Sequence, residues 1–141
     1  MLENKDWSVR MNEAYNPSTS AILLKKLASD ESENVRIAVA ENPSTPAASL
    51  EELAEDEVQL VRLGVANNPN TPVTRLEKLA NDEYEYVRAS VAESRNTPVF
   101  MLEELADDEI SGIRAAVIER AKELADTDFA AYITAIAKSY D

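Results

Sequence analysis

Apolar and polar residues alternate along this chain in a pattern that returns every 26 residues. Val-Arg or Ile-Arg stands at Val9-Arg10, Val35-Arg36, Val61-Arg62, Val87-Arg88 and Ile113-Arg114. Leu24, Leu50, Leu76 and Leu102 share one column; Leu27, Leu53, Leu79 and Leu105 share another. Within a repeat, Val35, Ala38 and Val39 fall at i, i+3 and i+4, the apolar stripe of a helix. Leu50, Leu53 and Ala54 give a second stripe of the same kind. Each repeat therefore predicts two short helices. The first runs from about Glu33 to Glu41 and ends at Asn42-Pro43, because proline cannot continue it and drives the preceding residue out of the α region. The second starts at Thr45, whose hydroxyl is placed to cap the first turn, with Pro46 at the first helical position, and ends near Asp56.

Helices of about nine residues are not stable alone. Each has to bury its leucines against the neighbouring repeat, which makes the chain an all-α solenoid. The repeats begin near residues 9, 35, 61, 87 and 113, within a single helical-repeat domain, 1–141. Residues 1–8 form an entry segment anchored by Leu2 and Trp7. At the other end Phe129, Ile133, Ile136 and Tyr140, with Tyr132 beside them, predict a closing helix over about 127–139, N-capped by Thr127 or Asp128. No Asn-Pro interrupts Arg114 to Ala125, so the helix there is expected to run longer than its equivalents. The thinly covered start of the stack leaves a monomer or a weak dimer as the expected states.

Composition narrows the classes. The 141 residues suffice for one domain with a core. No run of eighteen apolar residues spans a membrane, and the start lacks the apolar stretch of a signal peptide. Cysteine and histidine are both absent. Disulfides, thiolate metal sites, and the commonest general base and metal ligand go with them, and a cytoplasmic setting is the default. The net charge of −13 keeps the protein soluble, repels nucleic acid and anionic membrane, and attracts basic proteins.

Segments such as VRLGVANNPNTPVTRLEKLANDE and VRIAVAENPSTPAASLEELAEDE resemble the leucine-rich repeat variant family and, more distantly, HEAT-type helical repeats, which share the Asp followed by Val-Arg. The resemblance extends over about residues 9–120. It implies a right-handed α-α superhelix without strands, serving as a binding scaffold. In that family one helix of each pair can be a short 3₁₀ helix; the longer period here leaves room for two α-helices. Some relatives carry a cysteine-rich iron–sulfur segment, which a chain without cysteine cannot supply.

The five column arginines, Arg10, Arg36, Arg62, Arg88 and Arg114, have two readings: a row that binds phosphate or carboxylate, or a ladder of ion pairs with Asp30, Asp56, Asp82 and Asp108, each six residues before the next arginine. The ladder is favoured because every repeat keeps both partners. The acidic runs around Glu51–Glu57 and Glu103–Glu109 lack the spacing of a calcium loop. Gly64 and Gly112 make no phosphate loop, and no histidine activates a serine or threonine. The expectation is a non-catalytic protein without metal or cofactor. A partner has to read what differs between repeats, which singles out Leu60, Arg75, Tyr84, Tyr86, Phe100 and Met101 as candidate partner-binding residues. The same residue types also pack between repeats. The expected function is a protein–protein interaction scaffold or adaptor; the alternative is an acidic nucleic-acid mimic or inhibitor that binds a basic protein.

Overall fold

A computed structural model describes residues 2–140. After a 3₁₀ turn at Leu2–Asn4 come ten α-helices: α1 (Trp7–Tyr15), α2 (Ala21–Leu27), α3 (Glu33–Glu41), α4 (Ala47–Leu53), α5 (Gln59–Asn67), α6 (Val73–Leu79), α7 (Glu85–Glu93), α8 (Val99–Ala106), α9 (Ser111–Ala121) and α10 (Thr127–Lys138). No strand occurs among the described residues. Both members of every pair are α-helical, the first of nine residues and the second of seven or eight. The chain forms two compact units, one up to Arg75 and one from Leu76, and the division falls within α6. In the first, α1 packs on α3 and α3 on α5; in the second, α7 packs on α9. Every odd-numbered helix in these rows thus meets the one two places along, as a helical-repeat stack requires.

The leucine columns are core. Leu24, Leu50, Leu53, Leu76, Leu79, Leu102 and Leu105 are all buried, as are Val35, Val39, Val61, Val65, Val87 and Val91. Each contributes about 1.5–3 kcal/mol by leaving water. Gly64 lies at a close approach of α5 to α3. A Cβ there would sit 2.9 Å from that of Ala40.

The helix ends differ from the sequence expectation in an instructive way. Thr45 does not cap the second helix. Its Oγ1 donates to the Val39 carbonyl at 2.6 Å, and the N-cap position belongs to Pro46. Thr19, Thr71 and Thr97 do the same to Glu13, Val65 and Val91. Each of these carbonyls already accepts a main-chain amide three residues on, as Val39 does from Asn42, so the buried hydroxyl adds a second bond to the last turn of the first helix.

The last two helices follow the expected break. α9 runs eleven residues. α10 packs on α8 and α9 with Ile133 and Ala137 buried. Its N-cap is Asp126, which keeps an extended backbone and accepts from the Phe129 amide at 3.0 Å; Thr127 and Asp128 are already helical. The apolar stripe is narrower than its spacing suggests, since Tyr132 and Tyr140 are about half exposed. No helix among the described residues is long and apolar enough to cross a membrane.

Candidate functional site

The arginine column is occupied by the fold itself. Arg10 Nε donates to Asp30 Oδ2 at 2.7 Å, Arg36 to Asp56 at 2.8 Å and Arg88 to Asp108 at 2.8 Å. Nη2 makes the second prong on the other carboxylate oxygen. The partner carboxylate thus lies 20 residues after each arginine. The aspartate six residues before supplies something else, its main-chain carbonyl: Arg36 Nη1 donates to Asp30 O, Arg62 to Asp56 O, Arg88 to Asp82 O and Arg114 to Asp108 O. Each such aspartate also accepts its own loop's amide, Asp30 from Ser32, Asp56 from Val58, Asp82 from Tyr84 and Asp108 from Ile110. One residue type therefore folds its loop and joins it to the arginines. Burial alone pulls the Asp30 and Asp108 carboxyls upward. The bonds from Arg10 and Arg88, then the loop amides, outweigh it and hold both below the usual aspartate value.

Asn42 and Asn68 carry a function that sequence reasoning gave to their prolines alone. Asn42 Nδ2 donates to the carbonyls of Ala14 at 2.6 Å and Asn16 at 2.9 Å; Asn68 does so to Ala40 and Asn42. Their Oδ1 atoms accept from Ser44 and Asn70. Both side chains are buried, so each clamps one repeat to the one before it. Asparagine at positions 16, 42 and 68, giving way to Ser94 in the fourth repeat, was the available signal.

Of the six residues expected to face a partner, the structure exposes three. Leu60 is 46% exposed, Tyr86 57% and Phe100 59%. Arg75 is not a free cation: it pairs with Glu55 at 3.0 Å and lies 4.0 Å from Glu51. Tyr84 is half-buried at the N-cap of α7 and meets Tyr86 edge to face, ring centroids 5.2 Å apart. Met101 is a correction. It is 2% exposed and belongs to the core of α8, one residue from Phe100 and so about 100° further round the helix. Leu60 and Arg75 lie in the first compact unit, the other four in the second.

Two surface features stand out in the second unit. Asp82, Glu83, Glu104, Asp107, Asp108 and Glu109 line an acidic hollow around the paired Arg88. Val99, Phe100, Leu124, Ala125, Asp126 and Phe129 line an open apolar groove of about 460 Å³. Among the described residues no carboxylate cluster is arranged to hold a metal ion.

The family model described as leucine rich repeat variant matches residues 33–58 and 60–83. No curated protein and no solved structure matches the chain. The two matched stretches hold α3–α6 with the Asn42 and Asn68 clamps, and it is over these stretches that the chain is similar to leucine rich repeat variant repeats.

Proposed function

We propose that this chain is a non-catalytic protein-interaction module that recognises its partner through bulky side chains at positions the stack does not use. The supporting observation is a contrast between columns. Position 34 and its equivalents, Asn34, Leu60, Tyr86 and Gly112, are exposed in every repeat. So are Ile22, Ala48, Thr74 and Phe100. Large apolar residues there leave about half or more of their surface in water, and their identity changes from repeat to repeat, as a binding surface requires. The arginines and the asparagines, by contrast, are consumed internally.

The test is affinity capture from the source cells with wild-type chain and with a Leu60→Ser/Tyr86→Ser/Phe100→Ser variant. Because all three side chains are exposed, the variant should melt within a few degrees of wild type. Partner proteins recovered by wild type and lost by the variant support the module; identical recovery overturns it. The acidic hollow favours a second reading, an inhibitor or mimic that captures a basic protein by charge. That reading expects capture to fall steeply between low and moderate salt, whereas apolar recognition persists.

A further inference from the structure

We propose that the groove beside the first turn of α8 takes a partner segment with one or two bulky apolar side chains flanked by lysine or arginine. This names the partner class for the interaction module above and rests on that reading.

The groove joins a column that is exposed in every repeat, here carrying Val99 and Phe100, to the stretch after α9 where the repeat breaks. After α9 the second helix of the fifth repeat is replaced by α10, whose buried seam, Ile133 and Ala137, turns to α8 and α9. The space beside Val99 and Phe100 is left uncovered. Val99 is 46% exposed and Phe100 still more so, while the neighbouring Met101 and Leu102 are fully packed. Equivalent positions in the second repeat are Ala47 and Ala48, which form no such wall. Phe129, half-buried, and Leu124 close the other side. A volume of about 460 Å³ admits one or two large side chains and stands in the lower part of the range for binding clefts, roughly 300–1,000 Å³.

Charge selects the flanks. Asp126 is in the wall of the groove and Asp128 is exposed two residues on. Glu103 stands one helical turn past Phe100 and holds the hydroxyl of Tyr132, whose ring lies 6.3 Å from Phe129. The nearby cations are already engaged, Arg120 with Glu123 at 2.7 Å and Lys122 with Glu119 at 2.6 Å, while Arg95 lies 3.9 Å from Glu123. Residues 76–141 hold fifteen acidic and seven basic side chains. A cationic flank is attracted to this rim and an anionic one repelled. The same field disfavours a second copy of this chain as occupant, since each copy carries a net charge of −13.

The probes are three synthetic peptides titrated into isotope-labelled full-length chain: Gly-Lys-Lys-Phe-Leu-Lys-Lys-Gly, its counterpart with Glu for Lys, and its counterpart with Ala for Phe and Leu. The first should shift the Val99 methyls and the Phe100 and Phe129 rings, and bind about tenfold more tightly than either control. Phe100→Ser should weaken it by about tenfold and Asp128→Lys by about two- to threefold, both with melting temperatures near wild type. Equal binding of the Glu peptide, equal binding of the Ala peptide, or no movement at Val99 and Phe100 overturns the proposal. Concentration-dependent shifts at these residues without peptide overturn it too, by making a second copy the occupant. If the peptides fail while cellular capture still depends on Leu60 and Tyr86, the groove alone is refuted and the interaction module stands.

Discussion

Arg36 and Arg114 hold the same place in their repeats, yet the protein satisfies them by different chemistry. Arg36 has an aspartate 20 residues on and grips it with two prongs. Arg114 has Thr134 at that distance, and the ring of Tyr140 lies over its guanidinium instead, 4.2 Å from Cζ to the ring centroid. Both keep the preceding aspartate's carbonyl. The hydrophobic columns show a matching contrast. Val35, Val61 and Val87 are wholly buried, but Val9, with no described repeat before it, is 46% exposed, and Asn12 and Glu13 stand where Ala38 and Val39 do. Interior repeats thus solve their polar problems with the next repeat; the flanking ones solve them with different residue types. Polar end positions are what a repeat protein needs where stacking stops.

The sharpest way to break the comparison is to remove an interior carboxylate. Asp56→Ala strands the largely buried Arg36 guanidinium and the Val58 amide together. Breaking a buried pair from one side costs about 3–5 kcal/mol, and the partial exposure here brings the expected loss to about 3 kcal/mol by chemical denaturation. A loss below about 1 kcal/mol would mean the pair behaves as a surface bridge.

The asparagine clamp sharpens the same contrast at lower cost. Asn42→Ala removes the side-chain donor from the Ala14 carbonyl and one of two donors from that of Asn16, and should lose about 2 kcal/mol. Asn16→Ala, at the equivalent exposed position, should stay within about 0.5 kcal/mol of wild type. Equal losses would show that asparagine acts in its own turn and does not clamp its neighbour.

Tyr140 offers a smaller effect and separates its two contacts. Tyr140→Leu removes both the ring over Arg114 and the hydroxyl bond to Asp107, 2.6 Å long. Tyr140→Phe removes only the second. The melting temperature should fall less for either Tyr140 variant than for Asn42→Ala, and less for Phe than for Leu. If Phe and Leu melt alike, the ring contributes nothing to holding Arg114.

The helices and their core were legible because both depend on spacing: a stripe at i, i+3 and i+4 fixes the buried face whatever it packs against. The 33–41 helix and the leucine columns follow directly. Partner identity in the polar columns was less accessible. A guanidinium reaches several loops, and only coordinates distinguish the aspartate six residues before from the one 20 residues after. Thr45 misled for a related reason, since a hydroxyl between two helices can donate back to the first as readily as cap the second. Surface residues were hardest: Phe100 and Met101 are adjacent and equally apolar, and the turn of α8 sends one out and the other in. The groove itself depends on where α10 lies after the period breaks, which no column records.

The smallest effect concerns pH, and it asks whether the aspartate ladder is alike at its two described extremes. Asp30 pairs with Arg10 and is also drawn on by Arg36; Asp108 pairs with Arg88 and is drawn on by Arg114. Burial acts against both carboxylates, and the charged bonds prevail, so each is held below its ordinary value near 3.8 in the folded chain. A depressed carboxyl contributes stability that is fully present above its unfolded pKa and lost as pH falls through the folded one. The window therefore opens near pH 4 and closes below it, with stability flat toward neutrality as far as these groups are concerned. Carboxyl-carbon titration should give midpoints below 3.8 for both, and Asp30→Asn or Asp108→Asn should flatten part of the acid limb of the stability curve. A midpoint at or above 3.8 for Asp108 alone would show that replacing the next aspartate with Tyr140 weakens the ladder one step back. Matching midpoints would show that each rung is set by its own arginine, and that the substitution at Arg114 is confined to the last one.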